Sequence, residues 1–189
     1  LMLPTMRFAY HIHNAVVAAF ICFYPFTAIA DNGRANDLLD RLANPDLRNW
    51  EVIEQEIQLL WSRSGSASAD YLLQRGLEAL DIGNMEAAYN YLTALTDHAP
   101  DFAEGWHARA MMFFRMNRYG LSIADIQRTL ALEPRHFEAF TGLGIMLEDM
   151  GLLDTALNVF RVVRAIHPHR QDIIDAITRI EQARDGQSL

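Results

Sequence analysis

The sequence predicts an all-α, right-handed solenoid of about three helical hairpins, with a helical cap at its N-terminal end and a capping helix at its C-terminal end. Three observations carry this. Pro100, Pro134 and Pro168 follow one another at intervals of 34 residues. The same shift lays Gly76 on Ala110 and Gly144, and Ala88 on Ser122 and Ala156, so two columns are small throughout. It also lays Leu72 on Trp106 and Phe140, Leu92 on Ile126 and Phe160, and Leu95 on Thr129 and Val163, columns that are mostly large and apolar. A fixed period of this length is the mark of stacked supersecondary units. Small residues let two helix axes approach, large ones fill the space between neighbouring pairs, and proline ends the second helix of each pair.

Taken in order, residues 1–30 have the layout of a secretory signal peptide: Arg7 near the start, an apolar run from Ala15 to Phe23, and Ala28-Ile29-Ala30 as a cleavage site after Ala30. The run is shorter than the roughly 20 residues of a spanning helix, so no stable membrane span is expected after cleavage. Residues 31–68 form the N-terminal cap and linker. A short helix runs from Asn36 to Leu42, Asn44-Pro45 starts another, and Trp50, Ile53, Ile57, Leu60 and Trp61 make one apolar stripe over Asp46 to Arg63. This pair either stacks on the open face of the first repeat or folds back into the concave face. Ser66 or Ser68 caps the next helix after a Ser/Gly linker.

The repeats occupy 69–102, 103–136 and 137–168, with helices near 69–82 and 85–97, 103–116 and 119–131, and 137–150 and 153–165. Asp101 and Glu104 have the spacing of a capping box. Residues 169–189 supply a capping helix from Arg170 to Arg184, with Ile173, Ile174, Ile177 and Ile180 facing the third repeat, and a tail.

The composition excludes several functions. A net charge of −8 and a pI of 5.3 over 189 residues disfavour nucleic-acid binding. All 16 basic residues are arginine, which removes lysine chemistry, and the single cysteine, Cys22, lies in the leader. No catalytic motif, phosphate loop or calcium loop is present, so no catalytic residue, cofactor or metal is assigned and the chain is read as non-enzymatic. His98, His136, His167 and His169 fall in or beside the inter-repeat loops. Successive repeats are about 10 Å apart, too far for His98, His136 and His167 to share one metal. His167 and His169 with one further ligand are the pair that spacing leaves open, and His107 belongs to the groove face.

The third repeat, with Phe140, Leu143, Gly144, Gly151, Ala156, Phe160 and Pro168 in signature columns, resembles the tetratricopeptide-repeat (TPR) family. The likeness covers residues 69–168; it departs from the family at Arg75 and Arg109, where leucine is usual, and at Asn117, which replaces the turn glycine of Gly83 and Gly151. Asp97 to Trp106 is also similar to secreted bacterial TPR proteins of undefined role. The resemblance implies a concave groove that binds a protein or peptide partner. Carried over by column, its lining is Leu73, Leu77, Leu80 and Asp81, then His107, Met111, Phe114 and Arg115, then Thr141, Ile145, Glu148 and Asp149. The lysine and asparagine clamp of the chaperone-binding subclass is absent. These features imply a periplasmic or secreted adaptor that holds an envelope partner in the groove. The alternatives are a self-assembling oligomer, tested by light scattering, and an accessory subunit of an envelope enzyme, tested by what co-purifies.

Overall fold

The structure, a computed structural model, describes residues 26–187. Nine helices and no strand occur among them: α1 Phe26–Leu42, α2 Trp50–Trp61, α3 Ala67–Asp81, α4 Met85–His98, α5 Ala103–Arg115, α6 Tyr119–Leu132, α7 Phe137–Asp149, α8 Leu153–Ile166 and α9 Gln171–Gln187. Helices α3 to α8 form the three predicted hairpins, each within two residues of the bounds read from the sequence. None of the described helices is long and apolar enough to cross a membrane. The predicted leader lies outside the described residues except for 26–30, which belong to α1.

Each hairpin turns at equivalent residues, Gly83, Asn117 and Gly151, with φ of 74°, 56° and 73°. This left-handed conformation costs glycine nothing and asparagine little. It lets Asn84, Arg118 and Leu152 N–H bond back to the carbonyls of Ala79, Phe113 and Leu147 at 2.8, 2.8 and 2.9 Å. Orphan carbonyls at the end of α3, α5 and α7 are thereby satisfied. The small columns sit where the helices cross: Ala88 and Ala156 are fully buried, and a side chain on Gly144 would run into the Phe160 ring.

The N-terminal helices differ from the expectation in extent and in place. Helix α1 begins ten residues before Asn36, and α2 begins at Trp50 because Asn44 and Pro45 form a turn. There the Asn44 side chain accepts from Asp46 N–H at 3.0 Å. Ser66 does precede α3, but its side chain makes no cap bond; Asp70 closes the loop by accepting from Ser64 N–H and Oγ at 2.7 and 2.6 Å. The hairpin α1–α2 does not stack on the first repeat; it packs against the third repeat and α9. It lies over the loops that enter α7 and α9. Leu38, Leu39, Leu42, Ile53 and Ile57 share one core with Phe137 of α7, Phe160 and Val163 of α8, and Ile173, Ile177 and Ile180 of α9.

Aromatic and polar contacts fix that placement. The Trp61 indole stacks on His136 at 4.2 Å between centroids and tilts against Phe137 at 5.2 Å, while Trp50 meets His167 at 5.3 Å and stacks on His169 at 5.6 Å. Gln58 donates to Glu138 at 2.9 Å, Arg135 bonds Asp40 and Asn36, and His169 Nε2 lies 3.1 Å from the Asn44 carbonyl. The apolar stripe of α2 therefore covers the end of the solenoid where the third repeat meets α9, and the first repeat receives no helical cap among the described residues.

Candidate partner groove and a buried Glu–His cluster

Helices α3, α5 and α7, the first of each hairpin, carry the residues predicted to line the groove, and burial divides them. Leu73 and Leu80 are buried with Ala108, Met112 and Phe113, and Thr141 is buried with its hydroxyl donating to Phe137 O at 2.9 Å. Glu148 is held by Arg179 of α9, Nε to Oε1 at 3.0 Å and Nη2 to Oε2 at 2.9 Å. The surface that stays accessible consists of half-buried Leu77, Met111 and Phe114, exposed Arg115, and Ile145, which is 39% exposed, flanked by exposed Asp81 and Asp149. Phe114 stacks on Tyr119 at 5.7 Å, and Arg115 donates to Leu80 O at 2.7 Å, which orients both side chains.

Between the second and third repeats this floor holds a cavity of about 40 Å³ bordered by Met111, Phe114, Ile126 and Met146, with His107 and Glu138 at its polar end. Sites for small molecules and cofactors measure roughly 300–1,000 Å³. A 40 Å³ space suits the tip of one apolar side chain.

His107 is not a groove residue in contact with solvent. It is buried, and its ring meets that of His136 at 4.5 Å between centroids, with the Glu104 carboxylate bridging one nitrogen of each. Glu104 was expected to cap α5; instead Phe102 precedes that helix, and Glu104 turns inward. Its Oε1 lies 3.3 Å from His107 Nδ1 and its Oε2 lies 3.1 Å from His136 Nε2. His136 Nδ1 accepts from Ala139 N–H at 3.2 Å, which assigns the ring proton to Nε2, facing the carboxylate. Burial alone would raise the Glu104 pKa; His107 and then His136 outweigh it and bring it to about 2. Burial likewise opposes the charged form of His107, but the Glu104 carboxylate prevails and raises its pKa.

Three further side chains separate from the sequence reading. His98 bonds Ser68, at 3.1 Å. His167 is buried between Trp50 and Phe137, its ring nitrogens without a hydrogen-bond partner and Glu54 3.6 Å away. Burial, then Arg170 and His169, lowers its pKa to about 4. Arg109 does not merely replace a leucine: it makes a bidentate pair with Asp125 at 2.7 and 2.8 Å, donates to Thr96 at 2.7 Å, and lies over the Trp106 ring at 4.8 Å. The Glu104 cluster had one legible signal, the Glu-x-x-His spacing that puts two side chains on one helix face.

No family model matches the chain. A TPR repeat-containing protein of Rhizobium etli is 35% identical over 130 residues, covering 69% of this chain and 63% of that protein. The chain is a tetratricopeptide-repeat protein. It thus spans under two thirds of its TPR relative's length. Solved TPR structures share the fold. The first TPR of Spaghetti (RPAP3) bound to the HSP90 peptide SRMEEVD superimposes with a TM-score of 0.60 at 21% identity, over 62% of this chain and 94% of that one. MamA superimposes with a TM-score of 0.59 at 22% identity, over 62% and 68%.

Proposed function

We propose that this TPR protein is a non-enzymatic interaction scaffold of the bacterial cell envelope, which takes a partner peptide or helix across Leu77, Met111, Phe114 and Ile145. The observation that carries the reading is the accessible apolar strip on the concave face, with a small apolar cavity in its floor and Arg115 at its border. An amphipathic helix matches such a strip, burying residues of its own at helical spacing, and a methionine in the floor adapts to different side chains. Peptides bound by TPR structures of the same fold support a peptide partner here. The partner differs from an acidic C-terminal peptide gripped by lysine, since the chain has no lysine. The leader-like start supports the envelope location, which cell fractionation and N-terminal sequencing would test.

Phe114→Glu is the first test. A carboxylate at that position repels an apolar ligand, while the half-buried site lets it reach water and keep the fold. Envelope proteins captured by cross-linking to the wild-type chain should be lost from the variant, with the helical circular dichroism unchanged. Capture that survives the substitution would remove the concave strip as the binding surface.

A further inference from the structure

The groove reading makes no use of the buried cluster at the start of α5 and α7, and that cluster has the composition of a metal site. Glu104 and His107 stand three residues apart on α5, so both project from one helix face. His136 enters from the residue preceding α7. Donor atoms of the three side chains all lie within 4.8 Å of one another. Two ligands on one tetrahedral zinc ion are roughly 3.4 Å apart, given bonds of about 2.1 Å. The separations of 3.1 and 3.3 Å from the Glu104 oxygens to His136 Nε2 and His107 Nδ1 are already near that edge length. Glu138 is the repeat equivalent of Glu104, 34 residues on, and borders the same cavity as His107.

We infer that Glu104, His107 and His136 bind a zinc-class divalent cation at the junction of the second and third repeats, with Glu138 or water completing the shell. Two imidazoles and a carboxylate select zinc and its neighbours over magnesium or calcium, which prefer all-oxygen sites. Entry of the ion has a defined proton cost. His136 moves its proton from Nε2 to Nδ1, ending the bond from Ala139 N–H, and His107 gives up the Nδ1 proton that faces Glu104. The ion replaces both contacts to the carboxylate. Trp61, stacked on His136, covers one of the ligand rings, so the cation joins α5 to the start of α7 beside the N-terminal hairpin.

The test titrates the full chain with Co²⁺ and reads the visible absorption of a four-coordinate ion, then repeats the titration with Zn²⁺ as competitor. One Co²⁺ per chain, displaced by Zn²⁺, is expected. His107→Gln and Glu104→Gln should each weaken binding tenfold or more, since loss of even an outer-shell partner costs about 10–100-fold. His136→Asn should do the same while keeping a side-chain acceptor for Ala139 N–H, which separates ligation from loss of the helix cap. His98→Ala/His169→Ala removes two histidines outside the cluster and should leave the titration unchanged. The inference is overturned if no four-coordinate spectrum appears, if folded His107→Gln and His136→Asn bind as the wild type does, or if the His98/His169 pair is the one that matters.

Discussion

Two glycines in α7, Gly142 and Gly144, face different surroundings, and adding a side chain should have opposite signs at the two sites. A Cβ on Gly144 would lie 2.5 Å from Phe160 Cε1, inside a crossing where Phe160 is itself buried. Gly144→Leu should therefore overpack the third hairpin and cost about 1–3 kcal/mol or more. At Gly142 the nearest atom is Ile126 Cδ1 at 3.9 Å, an ordinary contact on the wall of the small cavity. Gly142→Ala should stabilise by about 0.5–1 kcal/mol, because alanine removes the entropic cost of glycine in a helix. Urea denaturation of the two variants checks both signs. The Gly144 position was legible because small residues repeat in its column, whereas Arg109 could be read only as a departure. Its partners Asp125 and Thr96 lie on other helices, and nothing in the local sequence announces that a guanidinium will be satisfied there.

At the scale of elements, six repeat helices were legible from columns and turns, and the placement of the α1–α2 hairpin was not. An apolar stripe states that a helix must be covered, not by what. The contacts that decide it join residues far apart in sequence, Gln58 with Glu138 and Trp50 with His169. The same distance hid half of the Glu104 cluster, since a local motif suggested a cap and one of its two partners, His136, stands 32 residues on in the loop that enters α7. The docked hairpin has a consequence for pH. His167 is buried under Trp50 with neither nitrogen partnered, and its folded pKa of about 4 is below the ordinary 6.5. The unfolded chain thus takes up the proton first. Stability from this group is complete above pH 6.5, declines as the pH falls toward 4, and is level below that, a loss on the order of 3 kcal/mol. His167→Phe forfeits no hydrogen bond and cannot titrate. Urea unfolding near pH 7 and near pH 4 should show a smaller acid loss in the variant than in the wild type.

Over the whole molecule, the hairpin makes the two ends of the solenoid unlike. Repeat arrays are held by interfaces between neighbours, and an end unit without a neighbour frays first. Here the first repeat has Tyr71 and Ile82 exposed, while the third repeat and α9 share a core with Leu38, Leu39, Ile53 and Ile57 from the hairpin. Removing residues 1–66 would uncover Phe137, Val163 and Ile173 and take the stacking partner from His136. Large apolar side chains contribute roughly 1.5–3 kcal/mol each when buried, so this loss exceeds the stability that one hairpin can hold by itself. Native-state hydrogen exchange should then show protection falling chiefly in α7 to α9, with α3 and α4 changed little, because local opening follows the contacts that are lost. A hairpin seated on the first repeat would give the reverse pattern, with protection lost in α3 and α4. Equal loss throughout would mean that the repeats unfold as one unit and that the hairpin supports all of them.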